Sequence, residues 1–289
     1  MKRFVFLFAL IFTAACSSTQ EDKTNENQEL RIITAGGTIS EIVAALGLQN
    51  QIIATDRTST FPKDLQQLPS IGYRNQIKAE GILSLNPYLV LIEEGYLNQE
   101  VVDQLQSTEI EIKQFQKPSS AEETLAMIEA IAIFFDLKEE GDSIIASVKK
   151  DLQELEEYKQ ASTDCGTALF VMARGPESLF MAGKESFATA MFDLAGVNSV
   201  VADFENFVPL TPEALISMNP DHIVLFESGL ESLGGKAGLS KIPGMTETSA
   251  FQKDQIVALD GLYISGFGPR VGNAALDLAK AMRTPKNTP

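Results

Sequence analysis

Tyr73 is the residue of this sequence whose type and position could best serve metal chemistry. It lies in the segment SIGYRNQ, between a predicted strand and a predicted helix, and Arg74 follows it directly. A tyrosine phenolate is a hard oxygen donor that suits ferric iron. A free tyrosine ionises with a pKa of about 10, so a metal or a neighbouring cation must favour the phenolate at neutral pH. From spacing alone, an ordinary loop tyrosine is the better interpretation.

Three further arginines stand where they could bind an anion or support the structure. Arg57 and Arg174 follow predicted strands, and ligands of open α/β sheets bind outside the carboxyl ends of the strands. A guanidinium can donate two parallel hydrogen bonds to a carboxylate, although a solvated surface charge is the alternative for each arginine. Arg270 follows Pro269 at a predicted helix start, where the helix dipole disfavours a cation. Arg270 is therefore expected to have a local partner or role.

The segment TAGGTISE at 34–41 resembles the nucleophile loop of bacterial asparaginases, which would make Thr38 a catalytic nucleophile. A nucleophile needs an activating base. The second asparaginase motif, HGTD, does not occur, and the single histidine, His222, falls inside a predicted apolar strand. A glycine turn between a strand and a helix explains this segment better than an asparaginase-type exported hydrolase does.

The sequence contains two similar segments, AEGILSLNPYLVLIEEG at 79–95 and PEALISMNPDHIVLFES at 212–228. Each predicts a short amphipathic helix, an Asn-Pro stop and an apolar strand. Glu80 and Glu213 occupy the same position near the start of the two helices, where a carboxylate interacts favourably with the helix dipole. The duplication predicts two related α/β lobes with a cleft between them.

The apolar pattern predicts α/β lobes in which strands alternate with helices and pair in parallel. The predicted strands are 30–35, 51–55, 88–93 and 110–115 in the first lobe and 167–173, 199–203, 222–227 and 255–260 in the second. The expected boundaries are 30–118 for the N-terminal lobe, 119–160 for an inter-lobe helix, 161–284 for the C-terminal lobe and 285–289 for a tail.

The connection between the lobes has a helical period and begins with a capping box formed by Ser120 and Glu123. A single helix of about 40 residues would span roughly 60 Å and act as a rigid strut. Gly141 could interrupt this segment, so the sequence leaves one helix or two open.

The first residues indicate export. Lys2 and Arg3 precede an apolar run at 4–12 that is too short to span a bilayer, and TAAC follows. The small residues before Cys16 resemble the cleavage site of bacterial lipoproteins, so 1–16 is expected to be a lipoprotein signal peptide and 17–29 a polar, flexible tether. An ordinary secretory signal is the alternative. The mature protein is expected on a bacterial membrane, facing the periplasm or the cell surface.

Composition argues against several functions. A net charge of −16 disfavours nucleic acid as a partner, because such proteins carry a basic surface. One histidine is too few for a typical zinc or manganese site, and lipidation of Cys16 would leave Cys165 without a disulfide partner. No further metal is expected, and His222 is expected to pack in a sheet.

Three segments together resemble a known family. PSIGYRNQIKAEGILSLNPYLVLIEEG, LGGKAGLSKIPGMTETSA and VALDGLYISGFGPRVGNAALDLAKAM are similar to periplasmic haem-binding proteins of ABC importers. These belong to the substrate-binding proteins of cobalamin, siderophore and haem importers, and the resemblance spans about 31–282. It implies a class III arrangement, in which a long backbone helix joins two Rossmann-like lobes, and a transport function rather than an enzymatic one.

The resemblance also implies roles for individual residues. Tyr73 matches the tyrosine that ligates haem iron in the cleft, and Arg74 is its neighbouring cation. Glu80 and Glu213 match glutamates that dock into arginines of the dimeric permease, as the pseudo-symmetry of the two acids also indicates.

The sequence departs from the family pattern at two positions. Asn75 stands where an arginine is usual, and Ser228 stands where a basic residue is frequent. Arg57 and Arg174 are the candidates to bind the haem propionates in their place. A corrinoid or ferric-siderophore binder with the same fold, which would not use Tyr73 as an iron ligand, is the alternative within this class.

Overall fold

The computed structural model describes residues 30–163, 166–200 and 204–283. The predictions for the signal peptide, the lipidated Cys16, the tether 17–29, Cys165 and the tail 285–289 therefore lie outside the described residues. Among the helices within the described ranges, none is long and apolar enough to cross a membrane.

The first lobe contains a four-stranded sheet in which all neighbouring strands are parallel. Its strands are β1 (Ile32–Ala35), β2 (Ile52–Thr55), β3 (Leu89–Glu93) and β4 (Glu111–Phe115), in the spatial order β2-β1-β3-β4. The helices are α1 (Gly37–Val43), α2 (Ala79–Leu83) and α3 (Gln99–Gln106). β1 and β3 are buried along their whole length, which explains their apolar sequences.

Two helices, rather than one of about 40 residues, connect the lobes. They are α4 (Ala121–Phe134) and α5 (Lys138–Ala161). The break lies at 135–137, where Asp136 has a positive φ of 56°, and not at Gly141. A Cβ atom on Gly141 would lie 2.4 Å from the Cβ atom of Ala132, so this glycine allows the two helices to pack closely. α5 alone has 24 residues and is about 36 Å long.

The second lobe contains a sheet of order β10-β9-β5-β6-β8, with β7 also paired to β5. Its strands are β5 (Thr167–Ala173), β6 (Leu179–Ala182), β7 (Asn198–Ser199), β8 (Phe207–Pro209), β9 (His222–Phe226) and β10 (Ile256–Leu259). The helices are α6 (Phe187–Ala195), α7 (Pro212–Met218), α8 (Glu227–Ser232), α9 (Lys236–Leu239), α10 (Ser249–Gln252), α11 (Gly261–Ser265) and α12 (Val271–Met282).

The duplicated sequence segments form equivalent structures. α2 and β3 occupy the same topological place in the first lobe as α7 and β9 in the second. Asn86 and Asn219 end the two helical segments with positive φ angles of 47° and 40°. Asparagine tolerates this left-handed conformation, which places the following proline outside the helix. The antiparallel strands β6 and β8 extend the second sheet beyond the parallel plan that the sequence predicts.

One apolar core continues through both lobes and the connection. It includes Ile32 and Ile39 of the first lobe, Leu155 of α5, and Phe170 and Leu278 of the second lobe. α5 packs along α12 and also contacts the segment that follows α1. The two lobes therefore share a packed interior.

Candidate functional site

Tyr73 lies at the carboxyl edge of the first sheet. The backbone N–H of Ile71 donates to the carbonyl oxygen of Thr55, at the end of β2, over 2.9 Å. The N–H of Arg57 donates to the carbonyl oxygen of Gly72, also over 2.9 Å. Gly72 has a φ of 112°, which side-chain-bearing residues rarely adopt, so glycine is needed just before the tyrosine. These two hydrogen bonds attach the Tyr73 loop to the end of β2 and to Arg57, which follows that strand.

Arg74 lies close to two aromatic rings. Its guanidinium carbon is 5.9 Å from the ring centre of Tyr73 and 5.2 Å from that of Tyr96. Both distances fall within the range of cation–π attraction. Arg74 is exposed, Tyr73 is half-buried and Tyr96 is buried. The structure thus brings together Tyr73 and Arg74, as predicted, and adds Tyr96, which the sequence did not single out.

The buried carboxylate of Asp56 holds the Tyr96 side chain in place. The Tyr96 hydroxyl donates a short hydrogen bond to the carboxylate of Asp56, a residue that is only 3% exposed. Asp56 also accepts from the N–H of Gly36 over 2.9 Å, the N–H of Thr58 over 2.7 Å and the hydroxyl of Ser59 over 2.7 Å. Burial and the charge of Asp56 raise the pKa of Tyr96 well above its usual value. Tyr96 therefore remains a protonated donor.

The start of α1 is occupied by the protein's own side chains. The N–H of Thr38 donates to a carboxylate oxygen of Glu93 over 2.9 Å, while its hydroxyl donates to the carbonyl oxygen of Gly266 over 2.7 Å. Burial raises the pKa of Glu93, although the charge of Lys117 opposes this effect. Thr38 is 1% exposed and links the two lobes. This geometry gives Thr38 a structural role and does not fit an asparaginase-type nucleophile.

Arg57 and Arg174 are exposed on loops that follow β2 and β5. Arg174 begins the turn between β5 and β6, and its N–H donates to the carbonyl oxygen of Ser178 over 2.9 Å. The N–H of Gly175 donates to the hydroxyl of Ser232 over 2.9 Å, which fastens this turn to α8. Both arginines are therefore accessible to solvent at the carboxyl ends of the strands that they follow.

Arg270 has a charged partner beside it, as its position at a helix start predicts. Its Nε and Nη2 atoms donate to the two carboxylate oxygens of Glu41 over 2.7 and 2.8 Å. The guanidinium carbon also lies 3.7 Å from the ring centre of Phe61 and 4.9 Å from that of Tyr263. Glu41 is 4% exposed and belongs to α1, so this ion pair joins the first lobe to the second.

Glu80 and Glu213 are exposed in the first turns of α2 and α7. The hydroxyl of Thr211 accepts a hydrogen bond from the N–H of Ala214 and caps α7. No side chain caps α2, where Lys78 holds the equivalent position. The two carboxylates therefore occupy matching places on the surfaces of the two lobes, with helix-dipole stabilisation available to each.

Known proteins share this architecture. A family described as periplasmic binding protein matches residues 32–262. The chain belongs to the periplasmic binding protein family. It is similar to the periplasmic heme-binding protein RhuT from Roseiflexus sp. RS-1, with 34% identity, a TM-score of 0.83, and coverage of 87% of this chain and 97% of that one. The two lobes, joined by the helices α4 and α5, form the class III arrangement that the sequence resemblance implies.

Two relatives extend the comparison. The substrate-binding lipoprotein YvrC of the Bacillus subtilis ABC transporters is 25% identical over 269 residues, covering 92% of this chain and 83% of YvrC. The vitamin B12-binding protein of Yersinia pestis is 22% identical over 253 residues, covering 87% of this chain and 86% of that protein. Both relatives are named as binding proteins, and YvrC is named as the substrate-binding component of an ABC transporter.

His222 is buried in β9 of this periplasmic binding protein, as its apolar sequence context predicts. Across the described residues, no three or more histidine, cysteine, aspartate or glutamate side chains gather in an arrangement that could hold a metal ion. Half-buried aromatic rings lie instead at the end of β9: those of Phe187 and Phe226 stack at 5.6 Å with an interplanar angle of 10°. No local sequence pattern indicates this stack, because the two rings are 39 residues apart (226 − 187).

Proposed function

We propose that this periplasmic binding protein binds haem in the cleft between its lobes and delivers it to the dimeric permease of an ABC importer. The observation that carries the proposal is the placement of Tyr73, which lies at the carboxyl edge of the first sheet with Arg74 against its ring. The similarity to the heme-binding protein RhuT, at 34% identity, supports the same ligand.

Tyr73 would ligate the ferric iron through its phenolate oxygen, and the proton of the phenol would leave to solvent. Arg74 places a positive charge 5.9 Å from the centre of the Tyr73 ring. Arg57 and Arg174 are exposed at the carboxyl ends of their sheets and would bind the propionates of haem through paired hydrogen bonds. The chain would thus recognise both the metal and the acidic edge of its ligand.

A corrinoid or a ferric siderophore is the second candidate ligand. The similarity to the vitamin B12-binding protein, at 22% identity over 253 residues, supports a corrinoid. The two candidates differ in their use of Tyr73, because only haem would be ligated by this tyrosine. Titration with haemin and with cyanocobalamin therefore separates them.

Anchoring at a membrane belongs to the same proposal. Lipidation of Cys16 would hold the protein on a bacterial membrane and face it towards the periplasm or the cell surface. The similarity to YvrC, which is named a lipoprotein, supports this anchor.

The test of the ligand is the variant Tyr73→Phe. Wild-type protein titrated with haemin is expected to show the charge-transfer band of a ferric phenolate. Tyr73→Phe should lose that band and bind haemin at least about tenfold more weakly, which corresponds to about 1.4 kcal/mol. Tyr88→Phe is the matched control, because Tyr88 is 54% exposed and lies at the start of β3, on the opposite edge of the sheet. An unchanged spectrum in Tyr73→Phe would refute iron ligation by this residue.

The proposed docking of Glu80 and Glu213 has its own experiment. Reversing either residue to arginine should leave haemin affinity intact and impair uptake by the cognate permease in proteoliposomes, because like charges across an interface cost several kcal/mol. The double reversal should abolish uptake. Glu100→Arg is the matched control, since Glu100 is an exposed acid in the first turn of α3. Normal uptake by folded, haem-binding double variants would disprove docking through these residues.

A further inference from the structure

The Arg74 side chain lies against the ring of a residue from another loop. Tyr96 lies 22 positions later (96 − 74), beyond β3, and its ring centre is 5.2 Å from the guanidinium carbon of Arg74. The ring of Tyr73 lies 5.9 Å from the same carbon. Tyr96 is 6% exposed, whereas Arg74 is exposed to solvent. A fixed, buried ring thus supports a long side chain that would otherwise sample many rotamers.

The Tyr96 ring is held rigidly because its hydroxyl is bound to Asp56. Asp56 accepts five hydrogen bonds, from the N–H groups of Gly36 and Thr58 and the hydroxyls of Thr58, Ser59 and Tyr96. The Thr58 hydroxyl also lies 3.2 Å from the Tyr96 hydroxyl. Every one of these residues belongs to loops at the carboxyl edge of the first sheet. The network therefore fixes the ring beside the Tyr73 loop.

The backbone conformation of the Tyr73 loop also directs Arg74 towards Tyr96. Arg74 has a positive φ of 43°, a conformation that costs energy for a residue with a side chain. The turn is closed by hydrogen bonds from the N–H of Gln76 to Tyr73 and from the N–H of Ile77 to Arg74, over 2.9 and 3.0 Å. This conformation carries the arginine side chain to the face of Tyr96.

We propose that Tyr96 is a positioning residue, which holds the Arg74 guanidinium through its π face and so keeps this cation beside Tyr73, the proposed iron ligand. This inference rests on the proposed haem function, but the placement of Arg74 by Tyr96 can be tested without ligand. The two parts of Tyr96 have different tasks: the ring contacts Arg74, and the hydroxyl orients the ring through Asp56. Variants that remove one part at a time separate these tasks.

The first measurement is NMR of the apo protein at mildly acidic pH and low temperature. Wild-type protein should show nuclear Overhauser effects between the Arg74 side chain and the Tyr96 ring, and a ring-current shift of the Arg74 Nε–H resonance. Tyr96→Phe, which keeps the ring but loses the hydrogen bond to Asp56, should reduce the shift, and Tyr96→Leu should abolish it. Absence of these effects in the wild-type protein refutes the placement, even if Tyr96→Leu fails to fold.

The second measurement is a haemin double-mutant cycle with Tyr96→Leu and Arg74→Gln. Tyr96→Leu should weaken haemin binding about two- to fivefold, as expected for the loss of an exposed cation–π contact, and shift the charge-transfer band. The double variant should bind no more weakly than Arg74→Gln alone. Tyr88→Leu is the control for loss of a tyrosine elsewhere.

The outcomes distinguish the placement of Arg74 by Tyr96 from the proposed haem function. If the effects of Tyr96→Leu and Arg74→Gln multiply in the double variant, Tyr96 does not act through Arg74 and the inference is wrong. If wild-type protein shows the ring-current shift but no haemin binding, the proposed function fails while the placement of Arg74 stands.

Discussion

The ion pair between Glu41 and Arg270 should be a main determinant of stability between the lobes. The variant Arg270→Met removes the charge and retains an unbranched stem that can pack on Phe61 and Tyr263. It leaves the Glu41 carboxylate, 4% exposed, without its cation. Breaking a fully buried pair costs about 3–5 kcal/mol, whereas an exposed pair contributes about 0.2–1 kcal/mol. Because the Arg270 side chain is 26% exposed, we expect a loss of about 2–3 kcal/mol.

Thermal unfolding of the ligand-free protein at neutral pH measures this loss. For a chain of this size, about 1 kcal/mol lowers the melting temperature by about 2–4 °C, so Arg270→Met should melt roughly 4–12 °C below wild type. Lys138→Met is the matched control, because the Lys138–Asp142 pair is 67% and 59% exposed. It should change stability by no more than about 1 kcal/mol.

A double variant identifies the cause of the loss. Glu41→Leu with Arg270→Met replaces both charges by apolar groups, which is often neutral for buried pairs, so it should recover most of the lost stability. If Arg270→Met melts like Lys138→Met, the pair does not stabilise the contact between the lobes. If the double variant is as unstable as the sum of the single variants, the lost contacts of the guanidinium with Phe61 and Tyr263 explain the effect instead.

Two further predictions concern the buried acid at the site and the motion of the lobes. Burial raises the pKa of Glu93 above its ordinary value of 4.5, so the stability of the wild-type protein should fall as the pH rises above that value. The melting temperature of Glu93→Gln should therefore increase relative to that of wild type between about pH 4 and pH 7. Parallel pH profiles of the two proteins would exclude this linkage. Because one apolar core and the Glu41–Arg270 pair join the lobes, small-angle scattering should show almost the same radius of gyration with and without haemin, and a large compaction would contradict near-rigid lobes.

Local sequence patterns predicted most of the elements. The apolar runs that became β1 and β3 were recognisable because both faces of these strands are buried. The capping box at Ser120 also marked the start of α4 correctly, since its hydroxyl accepts from the N–H of Glu123 over 3.2 Å. Side-chain period and capping act over a few residues, so a sequence displays them directly. The repeat likewise predicted two lobes, because it records the same structural unit twice.

The site was only partly predictable. Tyr73 and Arg74 are adjacent in sequence, so their proximity was expected, and the role proposed for Tyr73 rests on the resemblance. The tertiary structure alone decided that Arg74 rests on Tyr96 and that Arg270 pairs with Glu41, 229 positions away. Contacts of this kind depend on how strands and lobes pack against one another, and no local periodicity encodes them. For the same reason Gly141, which resembles a helix breaker in sequence, instead lets α5 pack closely on α4: the packing partner, not the residue type, determines what a glycine does there.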